Sequence, residues 1–186
     1  MARTPSTMLP LGTAMPDAIL PDGAGQMHRL HECVGAKGTL VLFICNHCPF
    51  VLHIADFLKP LAEELESLGV GCVAINANDV EQYPDDAPEK MVDFSAHYGL
   101  QFPYLFDDSQ ETAHAYDAAC TPDFFLFNAA GELVYRGQLD DSRPGNNLPV
   151  DGADLLAAAR ALSSGREIDP EQRPSLGCNI KWKHAG

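Results

Sequence analysis

The stretch LVLFICNHCP, residues 40–49, decides the fold of this chain. Residues 41–44 form an uninterrupted apolar run, which is typical of a strand buried on both faces of a sheet. Cys45 and Cys48 follow with two residues between them, and Pro49 then begins a long helical pattern. Proline is tolerated in the first turn of a helix, because the N–H group that it lacks would have no partner there. The sequence therefore predicts a buried strand, a Cys-x-x-Cys motif and a helix in direct succession.

The spacing of Cys45 and Cys48 suits a redox dithiol. A thiol at the N-terminus of a helix faces free backbone N–H groups and the positive end of the helix dipole, and both favour the thiolate. A second thiol one turn further along can displace a mixed disulfide that the first has formed. We therefore predict that Cys45 is the nucleophile and that Cys48 resolves the mixed disulfide. The alternative is that both are small buried side chains without a chemical role.

The two residues between the cysteines are Asn46 and His47, which we predict to support the dithiol. His47 is either an exposed residue at the start of the helix or a polar or cationic neighbour of the thiols. In the second case it lowers the pKa of Cys45 and makes the disulfide more oxidising.

The composition narrows the classes of partner. The chain of 186 residues carries 26 Asp and Glu against 12 Lys and Arg, a formal net charge of −14. Nucleic acids and anionic membrane surfaces both select basic patches, so we expect neither as a partner. Residues 1–21 have no secretory signal pattern, and no apolar run approaches the roughly 18 residues that span a bilayer, which favours a cytoplasmic location. In such a chain, six cysteines indicate a catalytic or metal-binding pair rather than a disulfide framework.

The length favours a single domain that spans residues 1–186. Within it we expect a draped or partly mobile lead-in at residues 1–16 and a C-terminal tail at residues 164–186. Strand and helix patterns alternate along the chain, which predicts an α/β fold with a central mixed sheet covered by helices on both faces. We expect an N-terminal β-hairpin. The predicted strands beyond the motif are residues 18–20, 27–30, 70–75, 103–106, 124–127 and 133–136, and further helices begin near residues 86, 109 and 155.

Two polar segments are predicted to lie at the surface. Residues 76–88 form a proline-bearing loop that ends near Asp86, whose side chain can cap the next helix. Asp140, Asp141 and Arg143 lie in a second polar loop and are interpreted as solvated. We assign no catalytic role to these three residues.

Several motifs together resemble one protein family. They are FICNHCP at residues 43–49, NAND at 76–79, TPDFFLF at 121–127 and GCNIKW at 177–182. The chain from about residue 17 to 183 resembles the redoxin branch of the thioredoxin fold, which includes peroxiredoxins and TlpA-type thiol-disulfide oxidoreductases, and more narrowly the peroxiredoxin-like thioredoxin-family proteins of bacteria. The resemblance implies a thioredoxin-like three-layer α/β/α sandwich. It also implies that Pro122, after Thr121, is a cis proline lying against the dithiol.

The chain departs from its relatives at positions that matter for chemistry. Thioredoxin carries a buried Asp six residues before the first cysteine, where this chain has Thr39, so a proton-shuttling acid is absent or supplied elsewhere. Peroxiredoxins carry Thr or Ser three residues before the peroxidatic cysteine, where this chain has Leu42 or Cys45. No Arg stands at Asp123, where the hairpin strand begins. The peroxide-activating residues of peroxiredoxins are therefore not visible.

Two further cysteines are candidate redox thiols. Cys120 lies two residues before Pro122 and is either a semi-buried structural thiol or an additional redox thiol. Cys178 lies in the tail and becomes a third redox thiol if the tail folds back. The alternative for the tail is that Trp182 simply pins it to the core.

We predict a thiol-disulfide oxidoreductase that works through a mixed disulfide at Cys45 and needs no cofactor and no metal. Its partners would be a disulfide-containing protein or small molecule and an unknown electron donor. One alternative is a peroxiredoxin-like thiol peroxidase. Another is a non-catalytic metal-binding protein in which Cys45, Cys48 and a distant His or Cys178 hold an ion.

Overall fold

The structure is a computed structural model that describes residues 3–183. Its strands are β1 (Arg3–Pro5), β2 (Ile19–Pro21), β3 (Met27–Arg29), β4 (Gly38–Phe43), β5 (Val70–Asn76), β6 (Tyr104–Phe106), β7 (Cys120–Thr121), β8 (Asp123–Asn128), β9 (Leu133–Gly137) and β10 (Leu176–Asn179). Its helices are α1 (Pro49–Ser67), α2 (Pro88–Tyr98), α3 (Glu111–Ala115) and α4 (Ala153–Ser163).

The main sheet has five strands in the order β6-β5-β4-β8-β9. Strand β4 is central, and it runs parallel to β5 and antiparallel to β8. All six residues of β4 are buried, because helices and loops cover the sheet on both faces. The predicted mixed sheet with β4 at its centre is therefore confirmed.

The first face of the sheet packs against α1, α2 and α4. The helix α1 presents one apolar stripe to this face, as the spacing in the sequence predicted. Each large aliphatic side chain moved from water into this layer contributes about 1.5–3 kcal/mol. The buried stripe consists of Val51, Ile54, Ala55, Leu58, Leu61 and Leu65. This packing fixes the N-terminus of α1, and with it Cys48, against the end of β4.

The opposite face packs against α3 and the N-terminal segment. Phe43 of β4 meets Tyr116 edge-on at 5.5 Å and Phe125 at 5.9 Å between ring centroids. Such edge contacts are favourable beyond the area that they bury. The predicted N-terminal hairpin is present as the pair β2–β3.

The two ends of the described chain meet beside the motif. Strand β1 pairs antiparallel with β10, and β10 pairs antiparallel with the two-residue strand β7. Within the lead-in predicted at residues 1–16, β1 is thus paired through its backbone with β10. Within residues 3–183, no helix combines the length and the hydropathy of a membrane span.

The two loops expected at the surface are partly buried. Asp86 does not cap α2, which begins after Ala87 without a side-chain cap, and Asp86 is instead fully buried in a short 3-10 turn. Asp140 is 2% exposed because its carboxylate accepts backbone N–H groups of Ser142 and Gly152 and thereby organises its own loop. Both carboxylates satisfy backbone and side-chain donors that a local sequence pattern does not reveal.

Candidate active site

The junction of β4 and α1 positions the two cysteines of the motif. Cys45 follows the end of β4, and Cys48 is the residue directly before α1, with an extended backbone. Both are free thiols, and their exposed fractions are 1% for Cys45 and 0% for Cys48. The two thiols lie within hydrogen-bonding reach of each other.

Thr121 and Pro122 cover the dithiol from the side of β7. The Thr121–Pro122 peptide bond is cis, as the resemblance implied. The Cys48 thiol donates to the Thr121 carbonyl at 3.2 Å, and Cys45 Sγ lies 3.5 Å from Thr121 Oγ1. Thr121, the residue before the cis proline, therefore contacts both sulfur atoms.

The pKa values of the two thiols are shifted in opposite directions. A hydrogen bond from Cys45 to Cys48, then burial and the charge of Asp86, raise the pKa of Cys45 well above its usual range. The same hydrogen bond lowers the pKa of Cys48 to about 5 against the cost of burial, with help from the Cys178 thiol and the Val51 backbone N–H. Of the two thiols, Cys48 is therefore the one that ionises more readily.

The lowered pKa thus falls on Cys48, whereas the sequence analysis assigned it to Cys45. The difference follows from where each cysteine lies relative to α1 and Asp86. Cys48 is the residue that directly precedes the free N–H groups of α1, whereas Cys45 sits at the end of a strand beside the Asp86 carboxylate.

His47 forms an ion pair with Asp86, a residue that the sequence analysis did not connect with the site. The distance from His47 Nδ1 to Asp86 Oδ2 is 2.7 Å, although the ring N–H does not point straight along this contact. The nearby carboxylate raises the pKa of His47 despite partial burial. The His47 ring also stacks on Tyr83 at 5.5 Å. His47 is therefore a half-buried neighbour of Cys45 whose charged form Asp86 favours, rather than an exposed residue at the start of the helix.

Asp86 is fixed by donors from the motif and from the segment that follows β5. Its Oδ1 accepts the Asn46 backbone N–H at 2.8 Å, and its Oδ2 accepts the Asn78 side-chain amide at 2.8 Å. The Asn46 side chain donates to the Asp85 carbonyl and accepts the Tyr104 hydroxyl at 2.9 Å. The motif NAND at residues 76–79 was the one signal for this network in the sequence. Asn46 thus orients the loop that carries Asp86.

A second buried carboxyl lies behind the cis proline. Asp123 is fully buried, accepts the Ser6 hydroxyl at 2.7 Å, and has a pKa that burial raises to about 7. Thr39, which stands where thioredoxin has its buried Asp, leaves its hydroxyl without a hydrogen-bond partner among the described residues. The sequence analysis noted Asp123 only as the place where an Arg is missing.

Cys120 and Cys178 lie on the two strands that pair beside the dithiol. Cys120 is fully buried, contacts the Pro122 carbonyl at 3.6 Å, and has a pKa that burial raises. The tail does fold back, since Cys178 stands opposite Thr121 in the β10–β7 pair. Trp182 also pins the tail, because its ring stacks on His114 at 4.3 Å.

One group of side chains could hold a metal ion. Ligand atoms of Cys45, His47 and Asp86 lie within 4.8 Å of one another. Both Asp86 oxygens already accept amide N–H groups, so an ion would compete with the proton of His47 for the same carboxylate. This group differs from the set considered in the sequence analysis.

The chain has relatives among known proteins. The sequence model of the family described as Redoxin matches residues 10–154. Thiol-disulfide oxidoreductase ResA of Geobacillus kaustophilus is 28% identical over 130 residues, which cover 70% of this chain and 70% of that protein.

Solved structures give the fold. The crystal structure of an uncharacterized conserved protein from Geobacillus kaustophilus is 49% identical, with a TM-score of 0.97 over 100% of this chain and 99% of that chain. The thioredoxin domain of a thiol-disulfide oxidoreductase from Bacteroides vulgatus is 17% identical, with a TM-score of 0.56 over 69% of this chain and 88% of that chain. The thioredoxin-like α/β/α fold expected from the sequence is confirmed.

Proposed function

The chain belongs to the Redoxin family, and from that premise we propose that it is a thiol-disulfide oxidoreductase whose working pair is Cys45 and Cys48. The observation that carries this proposal is the contact of two free thiols at the N-terminus of α1, against the cis peptide bond of Thr121 and Pro122. Two sulfur atoms in contact can close a disulfide without a large movement of the backbone.

In the first step, the Cys45 sulfur attacks one sulfur of a substrate disulfide. The bond between the two substrate sulfurs breaks, and a mixed disulfide forms at Cys45. The proton that Cys45 holds in the reduced pair passes first to the Cys48 thiolate, so that Cys45 attacks as a thiolate, and then from Cys48 to the leaving sulfur, so that Cys48 is a thiolate again. Thr121 supports this step because its hydroxyl lies 3.5 Å from the attacking sulfur.

In the second step, the Cys48 thiolate attacks Cys45 Sγ. The mixed disulfide breaks, the Cys45–Cys48 disulfide forms, and the second substrate sulfur leaves as a thiolate that takes a proton from water. The substrate is thereby reduced by two electrons and the dithiol is oxidised by two. The low pKa of Cys48 favours this step, because the resolving sulfur is already ionised.

The substrate class that fits is a disulfide-containing protein or small molecule, and a separate dithiol donor must reduce the enzyme again. Both active-site sulfurs are nearly sealed from solvent, so a substrate gains access only after a neighbouring side chain moves. His47 and Asp86 are the polar neighbours of Cys45 and are the first candidates for that movement.

The test is disulfide reductase turnover with three single variants. Cys45→Ser should abolish turnover, because the attacking sulfur is gone. Cys48→Ser should accumulate a covalent mixed disulfide with the substrate, visible by mass spectrometry and released by dithiothreitol. Cys33→Ser is the matched control, since this partly exposed thiol donates to Arg29 away from the motif and should leave turnover unchanged. Full turnover in the Cys45→Ser protein would overturn the proposal.

Metal binding is the second candidate function, because Cys45, His47 and Asp86 bring three ligand types together. Metal analysis of protein purified under reducing conditions separates the two functions. A stoichiometric ion that survives dialysis and blocks alkylation of Cys45 would favour the metal site. A metal-free dithiol that turns over would remove it.

A further inference from the structure

We propose that Cys178 is a third redox thiol, which exchanges with the Cys45–Cys48 disulfide to form a Cys48–Cys178 disulfide. The inference rests on the proposed function in one respect, since it requires Cys48 to be redox-active. It assigns a chemical role to the C-terminal tail, which lies outside residues 10–154, the part of the chain that matches the Redoxin family.

The first argument is the position of the three sulfur atoms. Strand β10 places Cys178 opposite Thr121, whose carbonyl accepts the Cys48 thiol at 3.2 Å. Cys178 and Cys48 belong to the same buried cluster, and Cys48 affects the pKa of Cys178. Cys48 therefore has two neighbouring thiols, Cys45 from its own motif and Cys178 from the tail.

The second argument is that the tail is held tightly at this point. Ser6 and Ser175 exchange hydrogen bonds of 2.9 and 3.0 Å, and the Ser175 hydroxyl donates to the Pro122 carbonyl at 2.7 Å. A Cβ atom at Gly177 would lie 2.0 Å from the Thr121 carbonyl oxygen, so only glycine allows β10 to approach this closely. On the other side of the strand, the Lys181 backbone N–H donates to Asn78 at 2.9 Å. The Cys178 sulfur is therefore kept beside Cys48.

The third argument is the charge around Cys178 in the two redox states. In the reduced protein, burial and the Cys48 thiolate raise the pKa of Cys178 to about 12, so it remains protonated. When Cys48 is part of a disulfide, its negative charge is absent. Burial still raises the pKa of Cys178 in that state, while the Phe50 backbone N–H and the Lys181 cation lower it. Loss of the Cys48 charge on oxidation therefore lowers the pKa of Cys178 from its value in the reduced protein.

The exchange needs no external oxidant. The Cys178 thiolate attacks Cys48 Sγ, the Cys45–Cys48 bond breaks, and the Cys48–Cys178 bond forms. Cys45 leaves as a thiolate and takes up the proton that Cys178 gave up. The number of electrons in the protein is unchanged. The result is an oxidised protein in which Cys45 is a free thiol and β10 is covalently joined to the start of α1.

The experiment uses the full chain and maps disulfide-linked peptides by mass spectrometry under non-reducing conditions. Cys45→Ser protein is oxidised with diamide, which joins pairs of thiols. We expect a Cys48–Cys178 crosslink in this variant and its complete loss in Cys45→Ser/Cys178→Ser. Cys45→Ser/Cys120→Ser is the matched control, because it removes the other thiol beside the cis proline and should keep the crosslink. A Cys48–Cys120 crosslink, or Cys48 and Cys178 that both stay free in folded protein, would overturn the inference.

The wild-type protein supplies a second readout that separates this inference from the proposed function. In the oxidised wild type, iodoacetamide should label Cys45 in the fraction that carries the Cys48–Cys178 bond, and Cys178→Ser should abolish that labelling. Turnover with a Cys45–Cys48 disulfide but no labelling of Cys45 would overturn the role of Cys178 and leave the proposed function intact. No Cys45–Cys48 disulfide and no turnover would overturn the proposed function, while a Cys48–Cys178 crosslink would still support the pairing argued here.

Discussion

The imidazole of His47 lies 2.7 Å from the carboxylate of Asp86, so the cation beside the dithiol belongs to an ion pair. The carboxylate raises the pKa of His47 and keeps the ring charged to higher pH than an isolated histidine. The same carboxylate raises the pKa of Cys45 through charge repulsion. The balance of these two effects determines how stable the reduced dithiol is.

The first prediction concerns the redox potential and His47. Replacing His47 with Ala removes a cation that attracts the Cys48 thiolate, so the reduced form loses stability. We expect the potential of the Cys45–Cys48 couple to become more negative by about 30 mV, which corresponds to about 1.4 kcal/mol for two electrons. Equilibration with glutathione buffers measures this shift. His114→Ala is the control, since its ring stacks on Trp182, and it should leave the potential unchanged. A more positive potential in His47→Ala would contradict the assigned charge.

The second prediction concerns Thr121, whose hydroxyl contacts Cys45 and favours its thiolate. Thr121→Val keeps the shape of the side chain but removes this contact. The loss of one hydrogen bond of about 1 kcal/mol should raise the pKa of Cys45 further and slow its alkylation by iodoacetamide about fivefold at neutral pH. Thr121→Ser restores the hydroxyl and should restore the rate. Equal rates in the Val and Ser variants would show that the hydroxyl has no effect on the sulfur.

The third prediction concerns Asp123 and the dependence of stability on pH. Burial raises its pKa to about 7 in the folded protein, above its value of roughly 3.9 when unfolded. The folded state therefore binds the proton more tightly than the unfolded state, which stabilises the fold. This stabilisation is fully present below pH ~4 and is lost as pH rises to about 7. The Asp123→Asn protein has no carboxyl group at this position, so it does not lose stability in this way.

We therefore expect Asp123→Asn to gain about 2 kcal/mol of unfolding free energy relative to wild type between pH 5 and pH 8. Urea unfolding at both values measures the change, and Asn retains the oxygen that accepts the Ser6 hydroxyl. A difference between the two proteins that is constant with pH would mean that Asp123 titrates normally.

The fourth prediction concerns Gly177, which faces the Thr121 carbonyl. A methyl group at this position would overlap the carbonyl oxygen at 2.0 Å, so Gly177→Ala should push β10 away from β7. We expect a loss of at least about 2 kcal/mol of stability, and faster proteolysis of the tail. Gly165→Ala is the matched control, because no atom lies within 4 Å and it meets only the backbone cost of about 1 kcal/mol at φ +69°. Equal effects of the two substitutions would contradict the close approach of β10.

The parts of the fold that were predicted from sequence are those with a local signal. The apolar run of β4, the periodic stripe of α1 and the close spacing of the two cysteines are all local features of the sequence. They could therefore be interpreted without tertiary information. The cis bond at Pro122 came from the resemblance rather than from any periodicity. These features placed Cys45, Cys48, Thr121 and Pro122 in one region.

The parts that were missed depend on contacts distant in sequence. Asp86 lies in a proline-bearing loop with no periodicity, and donors distant in sequence, such as Asn46 and Asn78, draw it into the site. The strand β10 is four residues long and lies in a tail, so its pairing with β7 carries no local signal. The assignment of the lowered pKa to Cys45 failed for a related reason. The negative charge that raises the pKa of Cys45 belongs to Asp86, which is distant in sequence.

The most direct test of the central claim is a redox titration of the Cys45–Cys48 pair, followed by trapping of free thiols and mass spectrometry. We predict a single two-electron transition, at a potential more oxidising than the roughly −270 mV of thioredoxin, because the Cys48 thiolate and the His47 cation stabilise the reduced form. In Cys45→Ser the Cys45–Cys48 disulfide cannot form, and the one disulfide that we expect at the site is Cys48–Cys178. Two cysteines that remain free thiols at every potential would contradict the account.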